Sequence, residues 1–404
     1  MKVNFNEILA KTESYKSEMF KFLRDIVAIE SFDGKEGAVV LRIKEEMEKV
    51  GFDKVVIDPM GNILGYAGTG EHIIAMDGHI DTVTYGDIEN WKFNPFEGYE
   101  DEECIGGLGS TDQKGGMASM VYAVKVLKEM NLLNEVTLVV VGSVQEEDCD
   151  GLCWQYIIEQ DGLKPEFAIL TEPTDGKICN GQRGRIEIRV KTHGVSCHGS
   201  SPERGENAVY KMASIIKDIE TLNTCFKDDG LLGKGSVTIS EISSTSPSRC
   251  AVSDSCWISL DRRMNSKETA ESCLEEIRNL PSVKVAGATV DMYKYAEPSY
   301  TGLLYETEKF YPTWIIPENH ELCILANKCH DNLFGSKAVV KPWIFSTNGV
   351  SIMGRHGIPC IGYGPGHEDQ AHFPNERTWK NELLKACAMY ASIASTYVDE
   401  VVNK

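Results

Sequence analysis

The sequence has no apolar run long enough to cross a membrane as a helix. The stretch Val136–Val144 falls well short of the roughly 18 apolar residues that such a helix needs, and it is predicted as a buried strand. Residues 1–18 mix Lys, Glu and Asn with apolar residues and lack the continuous apolar core of a signal peptide. We therefore expect a cytoplasmic protein with no membrane partner.

The sequence also has no Cys-x-x-Cys pair, although it contains thirteen cysteines. That density is modest for 404 residues and the number is odd, so a disulfide framework is not indicated. We expect reduced thiols, most of them buried.

Positive charge is scarce, since 41 Lys and Arg face 61 Asp and Glu and give a formal net charge of -20. A field of that sign repels phosphate backbones, and no basic cluster provides a local exception. The sequence also lacks a Gly-x-Gly-x-x-Gly or Gly-Lys-Ser/Thr loop in register, which weakens a nucleotide-binding interpretation. We therefore expect no nucleic-acid partner.

A chain of 404 residues exceeds the roughly 250–300 residues at which single hydrophobic cores stop growing, which indicates about two domains. Apolar stripes at helical spacing alternate with short β-rich runs at both ends of the chain, a pattern typical of an α/β layered sheet. Helices are predicted at 15–29, 36–50, 115–130, 318–332 and 381–398, and strands at 55–57, 63–67, 73–76, 136–141, 167–170 and 360–363.

Between these ends lies a segment with a different pattern. Strands are predicted there at 186–190, 236–242, 255–261 and near 283–292, and helices at 207–222 and 266–280. The order β-α-β-β-α-β is that of a small ferredoxin-like unit. We therefore predict a catalytic, metal-binding domain made of residues 1–182 and 297–404, with a second domain inserted at residues 183–296.

Five residues that can bind metals each follow an apolar run. Ligands of open α/β sheets collect beyond the carboxyl ends of the strands, so these side chains are expected near one sheet edge. They are His79, Asp112, Glu147, Glu172 and His372. The set offers nitrogen and oxygen donors and no cysteine, which suits Zn²⁺, Co²⁺ or Mn²⁺.

Two further carboxylates lie beside these candidates. In His79-Ile80-Asp81, the carboxylate of Asp81 can fix the tautomer of a metal-binding imidazole. In Glu146-Glu147, one carboxylate can bind a metal while its neighbour moves the proton of a water.

Each segment taken alone also has a structural interpretation. His79 and Asp81 can form a solvated pair, Asp112 can cap the helix that follows it, and Glu146 can belong to an exposed acidic loop. Five such residues, each placed just past an apolar run, are harder to explain by chance than any one of them. The whole set therefore favours a metal site.

Five motifs together resemble the M20 metallopeptidase family in order and spacing. They are His79-Ile80-Asp81-Thr82-Val83, Gly109–Gly116, Glu146-Glu147, Thr171-Glu172-Pro173 and Ala371-His372-x-Pro374-Asn375-Glu376. The resemblance covers nearly the whole chain and is closest to the subgroup known as selenium-metabolism-linked hydrolases. It implies a mixed-sheet α/β catalytic domain of the di-metal exopeptidase type, with an inserted ferredoxin-like α+β domain that serves as lid and dimerisation domain.

The resemblance also implies a metal-binding role for each of the five candidates. Asp112 would bridge two divalent metal ions, most simply Zn²⁺. His79 and Glu172 would complete one site, and Glu147 and His372 the other.

Four further residues receive roles from the same resemblance. Glu146 would be the general base that takes a proton from a metal-bridging water, and Asp81 would orient the metal-binding His79. His198 would polarise the scissile carbonyl from across a dimer, and Arg263 would bind a substrate carboxylate.

The chain departs from the family at two segments. Cys250-Ala251-Val252-Ser253-Asp254 stands where the family often has an Asn before a Pro-Asp segment. Thr347-Asn348-Gly349 stands where many members have Thr-Asp-Ala. Both segments are expected near the substrate, so the substrates of better-known members do not transfer directly.

The implied activity is that of a deacylase or amidase acting on a small carboxylate-bearing N-acyl amino acid or a related compound. A dipeptidase or carboxypeptidase is the alternative, and a non-catalytic metal-binding protein on the same scaffold is a remote one. The implied partners are a small-molecule amide or dipeptide and a second copy of the chain, joined through the inserted domain.

Overall fold

The computed structural model describes residues 3–403, so Met1, Lys2 and Lys404, all assigned above to the catalytic domain, lie outside the described residues. The α-helices within this range are α1 (Phe5–Ser14), α2 (Lys16–Val27), α3 (Gly37–Val50), α4 (Lys114–Glu129), α5 (Leu152–Glu159), α6 (Ala208–Cys225), α7 (Ala270–Arg278), α8 (Pro281–Ala286), α9 (Glu321–Phe334) and α10 (Lys380–Tyr397). Short 3-10 turns at Ile88–Asn90, Pro202–Arg204 and Glu368–Gln370 and π-helical turns at Val350–Arg355 and Val398–Val402 complete the helical structure.

The strands in the same range are β1 (Lys54–Ile57), β2 (Ile63–Ala67), β3 (His72–His79), β4 (Tyr99–Glu100), β5 (Cys104–Gly106), β6 (Val136–Ser143), β7 (Phe167–Leu170), β8 (Ile178–Gln182), β9 (Gly184–His193), β10 (Ser236–Thr245), β11 (Ser255–Met264), β12 (Thr289–Met292), β13 (Lys294–Tyr295), β14 (Thr307–Glu308), β15 (Phe310–Tyr311), β16 (Trp314–Ile315), β17 (Val340–Trp343), β18 (Cys360–Gly362) and β19 (Arg377–Trp379).

The larger sheet is mixed and has nine strands, in the order β1-β2-β6-β3-β7-β18-β8-β16 with β17 beside β8. Its central strands β6, β3, β7 and β18 are parallel, whereas β1, β2 and β16 pair antiparallel to their neighbours. Parallel strands are buried on both faces, which explains the runs of apolar residues within them, such as Ile73–Met76 in β3 and Leu138–Val141 in β6. This arrangement confirms the predicted mixed α/β class.

Two hydrophobic cores cover the two faces of this sheet. Alternate residues of β6 point to opposite sides, so that Leu138 and Val140 join one core while Val139 and Val141 join the other. Helices α1 to α4, α9 and α10 contribute to the first core, and α5 contributes to both. Each fully buried Val or Leu side chain stabilises such a core by about 1.5–3 kcal/mol relative to exposure.

A second sheet has the strand order β10-β11-β9-β12, with β15 added beside β9. Its four main strands are antiparallel, and β9 and β11 alternate buried and half-buried residues along their length. The buried side chains pack with helices α6, α7 and α8 in a third, separate core. The elements follow the predicted β-α-β-β-α-β order, and the division of the chain into two domains at residues 183 and 297 stays a prediction.

The expected strand near 283–292 is only partly correct. Residues 281–286 form helix α8, and the strand is limited to β12. Pro281 is in the first turn of this helix, where its missing N–H costs no hydrogen bond, and Gly287 ends it with φ 58°. Helices α1 and α5 were not predicted from the sequence.

Two expectations from composition can be compared with the fold. All thirteen cysteines are free thiols, and ten of them are buried, which confirms the prediction of reduced and mostly buried thiols. Within residues 3–403, no helix combines the length and the apolar character that a membrane crossing requires.

Candidate metal centre

Parallel pairing brings the carboxyl ends of three strands to one edge of the larger sheet. His79, the last residue of β3, is in register with Ser143 at the end of β6, and Asp77 is in register with Leu170 at the end of β7. The loops that carry Glu146 and Glu172 therefore begin next to the end of β3. This register is the reason that residues distant in sequence meet at one place.

The five predicted ligands form two groups that share Asp112. His79, Asp112 and Glu172 make one group, and Asp112, Glu147 and His372 make the other, with the ligand atoms of each group within 4.8 Å of one another. Asp112 offers a different oxygen to each side. Its Oδ1 lies 2.9 Å from Nε2 of His79, and its Oδ2 lies 3.4 Å from Nε2 of His372.

Burial and mutual repulsion act on the carboxyl groups of this cluster. Burial raises the pKa of Glu172 well above its usual range, and the nearby Asp112 carboxylate raises it further. The pKa of Glu147 is raised by the same two causes. At His79 burial acts in the opposite sense, but the carboxylates of Glu146 and Asp112 raise the pKa of the imidazole well above its ordinary value.

The donor set fits divalent cations. Crowded carboxylates in a buried site need a proton or a cation to relieve their repulsion, and two imidazole nitrogens favour a transition metal or zinc over calcium or magnesium. Asp112, with one oxygen directed to each histidine, is placed to serve both groups. The arrangement can therefore hold two cations side by side.

Asp81 contacts this cluster in a way that the sequence does not reveal. Nδ1 of His79 lies 3.0 Å from the backbone carbonyl oxygen of Asp81 and 3.8 Å from its carboxylate. The carboxylate instead accepts a hydrogen bond of 2.8 Å from the backbone N–H of Glu147. Asp81 thus fixes the His79 ring through its main chain and the Glu147 backbone through its side chain.

Glu146 is buried beside the two donor groups without belonging to either. Its Oε2 lies 3.8 Å from Nε2 of His79, and its Oε1 has no hydrogen-bond partner within residues 3–403. Burial raises the pKa of Glu146 well above its usual range, with further contributions from Asp150 and Glu172. A carboxyl group with a raised pKa and a free oxygen is suited to accept and return a proton.

Glu376 supports the loop that carries Asp112, a role that was not predicted. Its carboxylate accepts hydrogen bonds from the backbone N–H groups of Gly109, Thr111 and Asp112, at 2.7, 2.6 and 2.9 Å. Burial, with the Asp112 carboxylate nearby, raises the pKa of Glu376 to about 8. In the sequence, Glu376 follows the predicted ligand His372 by only four residues. This short spacing was the available indication that Glu376 lies at the same site.

Asn348 is buried against Asp77, two residues before His79, and the expectation that its segment lies near the substrate stays a prediction. Only 1% of its surface is exposed. Its amide donates to Oδ2 of Asp77 at 2.8 Å and to Oγ of Ser143 at 3.0 Å, and its Oδ1 accepts from the N–H of Gly151 at 2.9 Å. These partners tie the ends of β3 and β6 together.

A cavity of about 540 Å³ opens over the two donor groups. Arg263 lines this cavity together with Arg183 and Arg185. The lining, taken from residues 3–403, does not include His198, which lies on an exposed loop where its backbone pairs with Ala251. The structure thus brings together eight of the nine predicted site residues and leaves His198 apart.

Comparison with known proteins identifies relatives of the chain. The sequence profile of the family described as peptidase family M20/M25/M40 matches residues 75–396. The uncharacterized protein YgeY of Escherichia coli (strain K12) is 58% identical over 396 residues, which cover 98% of each chain. A probable succinyl-diaminopimelate desuccinylase of Staphylococcus epidermidis is 23% identical over 406 residues, covering 95% of this chain and 99% of that relative.

A solved structure shows the same fold. The YXEP protein of Bacillus subtilis, a dinuclear metal binding peptidase from the M20 family, superposes with a TM-score of 0.70 at 12% identity. The match covers 96% of this chain and 100% of that one. From the profile match and the long, closely similar relative, the chain belongs to peptidase family M20/M25/M40 and is a metallohydrolase acting on amide or peptide bonds.

Proposed function

We propose that this protein is a deacylase or amidase that hydrolyses the amide bond of a small carboxylate-bearing N-acyl amino acid or a related compound. The observation that carries the proposal is the position of Glu146, whose free carboxylate oxygen lies beside two donor groups joined by Asp112. A general base next to a site for two cations is an arrangement that can catalyse the hydrolysis of an amide.

The residues that would hold the cations are the five predicted ligands. His79 and Glu172 would complete one site, Glu147 and His372 the other, and Asp112 would serve both. Two divalent cations supply Lewis acidity, which favours deprotonation of a water and polarises a carbonyl oxygen. Zn²⁺ suits this mixture of imidazole and carboxylate donors, and Co²⁺ or Mn²⁺ would be alternatives.

Glu146 performs the proton transfers in this proposal. Its carboxylate accepts the proton of the attacking water and later donates a proton to the leaving amine nitrogen. The raised pKa of Glu146 suits both steps, because a group with a pKa nearer to neutrality is a better base and can also act as an acid. Asp81 keeps the neighbouring His79 and Glu147 in place through the contacts described above.

Binding of substrate would involve residues on both sides of the cavity. Arg263 is a proposed ligand of the substrate carboxylate. His198 is proposed to act on the scissile carbonyl of a partner subunit, which requires a homodimer formed through residues 183–296. Its exposed position, apart from the cavity of its own chain, is compatible with that role. We also propose that the protein is cytoplasmic.

The test is the variant Glu146→Gln, assayed with a panel of N-acyl amino acids and dipeptides, with metal content measured by mass spectrometry. We expect kcat to fall by about 10²–10⁴-fold while two metal ions stay bound. The exposed Glu102→Gln variant is the control and should keep full activity.

The outcome of the panel separates the alternatives. Near-normal turnover by Glu146→Gln with two bound metals would refute the assignment of the base. Preference for dipeptides over N-acyl amino acids would favour a dipeptidase or carboxypeptidase, and bound metal without any hydrolysis would favour a non-catalytic metal-binding protein.

A further inference from the structure

Three arginines line the cavity above the metal centre, and two of them are already paired with carboxylates. Arg263 is held by Asp261, with Nε 2.9 Å from Oδ1 and Nη2 2.9 Å from Oδ2. Arg185 lies 3.7 Å from Asp150 and 3.5 Å from Glu187. These guanidinium groups can bind a substrate only in competition with the protein's own acids.

Arg183 differs from both, because it forms no ion pair with any carboxylate of residues 3–403. In a chain with 61 acidic and 41 basic side chains, a cavity-lining arginine without an acidic partner is unexpected. The free positive charge of Arg183 is thus available to an anion that enters the cavity.

The Arg183 guanidinium is held in place by the segment that follows helix α6. Its Nε donates a hydrogen bond to the carbonyl oxygen of Leu232, which leaves its Nη groups for other partners. The next residue, Gly233, has φ 80°, and a Cβ at this position would lie 2.5 Å from Nη2 of Arg183. The glycine therefore provides the space that this guanidinium occupies.

Asp229 in turn fixes this segment. Its Oδ1 accepts hydrogen bonds from the N–H groups of Leu231, Leu232 and Gly233, at 2.9, 2.7 and 3.1 Å. Its Oδ2 accepts another from the N–H of Ser266, at 2.8 Å. The Leu232 carbonyl that orients the arginine is thus held by a chain of contacts that begins at Asp229.

The lining of the cavity is acidic, and bound cations would offset much of that charge. Six carboxyl groups and three arginines line it, the acids being Asp112, Glu146, Glu147, Asp150, Glu172 and Glu368. If all six are ionised, the four positive charges of two divalent ions would offset four of them. Arg183 is then the lining guanidinium whose charge no carboxylate of residues 3–403 already pairs with, and a substrate carboxylate could pair with it.

We propose that Arg183 binds the carboxylate of the substrate through its free Nη groups, and that Asp229 acts as the positioning residue for this contact. The inference rests on the proposed function, since it names the group that the amide substrate must carry. It adds Arg183 to Arg263 as a second residue for carboxylate recognition, and it predicts that neutral amides of the same shape are poor ligands.

The test measures binding of succinate, a small dicarboxylate, to the zinc-loaded protein by isothermal titration calorimetry, with succinamide as the neutral counterpart. We expect Arg183→Met to weaken succinate binding by about 10–100-fold, because charge-assisted hydrogen bonds are lost. Arg183→Lys should recover only part of the affinity, since a single ammonium cannot bind a carboxylate in a bidentate way. Arg278→Met, which removes an exposed arginine from α7, is the matched control and should bind succinate as the wild type does.

Asp229→Asn separates positioning from stability. We expect weaker succinate binding at 25 °C with an unchanged metal content, whereas a purely structural role would lower the urea midpoint and leave the affinity of the folded protein unaltered. Wild-type affinity in Arg183→Met, or equal binding of succinate and succinamide by the wild type, would overturn the inference. Because this assay needs no turnover, it can succeed or fail independently of the hydrolysis assay for Glu146.

Discussion

Asn348 donates a hydrogen bond of 2.8 Å from its side-chain amide to Oδ2 of the buried Asp77, two residues before His79. The buried pair explains the asparagine, because an aspartate at position 348 would place a second carboxylate against Asp77 with no cation to separate them.

This pair predicts the outcome of a charge swap. Asn348→Asp should lower the free energy of unfolding by about 3 kcal/mol, since it creates an uncompensated buried charge. The double variant Asp77→Asn, Asn348→Asp restores one acid and one amide and should recover most of that loss. Urea unfolding of the single and double variants measures the coupling, with the exposed Asn381→Asp as control. If the loss of unfolding free energy in the double variant equals the sum of the losses in the two single variants, the two side chains do not interact.

Glu376 provides a second prediction, because its carboxylate accepts three backbone N–H groups around Asp112. Glu376→Gln replaces one acceptor oxygen by an NH₂ group that faces N–H donors. We expect metal affinity to fall by about 10–100-fold, as is typical when the support of a ligand is lost. Competition with a chelator measures the effect. Unchanged affinity would mean that the Asp112 loop keeps its conformation without this carboxylate.

Metal removal should lower the stability of the protein. The buried Glu146 and Glu172 and the half-buried Glu147 repel one another, and bound cations would relieve that repulsion only in the folded state. At a free-ion concentration 100 times Kd, one site stabilises the native state by about 2.7 kcal/mol. We expect a chelator to lower the unfolding midpoint, and excess Zn²⁺ to restore it. An unfolding midpoint that neither the chelator nor excess Zn²⁺ changes would contradict the metal site.

The pH dependence of stability should include a contribution from Glu46, which is far from the metal centre. Its carboxylate accepts hydrogen bonds from Tyr122 at 2.5 Å, Arg42 at 2.7 Å and Lys49 at 2.8 Å. Although burial opposes the shift, these partners lower the pKa of Glu46 from its ordinary value of 4.5. The stabilisation is therefore present above pH 4.5 and is lost as the pH falls through the lower, folded-state pKa.

Glu46→Gln tests this contribution. At pH 7 we expect the variant to lose about 1–2 kcal/mol of unfolding free energy, because hydrogen bonds to a charged acceptor are replaced by weaker ones. Below pH 4.5 the difference between wild type and variant should shrink as Glu46 becomes protonated. Urea unfolding at pH 7 and at several lower pH values measures this difference in unfolding free energy. A difference that stays constant with pH would contradict the proposed contribution of ionised Glu46.

Much of the candidate site could be predicted from the sequence because it depends on strand ends. Each of His79, Glu147 and Glu172 follows an apolar run, and parallel pairing of β3, β6 and β7 necessarily brings such positions to one edge of the sheet. The short-range periodicity of apolar residues was also sufficient for most helices and strands. It was not sufficient at 281–286, where Pro281 and Gly287 set the limits of a helix within a run that was predicted as a strand.

What the sequence by itself determined is therefore the fold class, and it also supplied the proposed metal ligands and the proposed base, because all of these follow from local patterns and from motif order. The tertiary structure alone decided which groups support or complete the site. Glu376 accepts hydrogen bonds from residues more than 260 positions earlier in the chain, and Asn348 donates to Asp77. Among residues 3–403, Arg183 is the cavity arginine without an acidic partner. Such relationships depend on contacts between distant segments, and local periodicity carries no information about which side chains will meet when those segments pack.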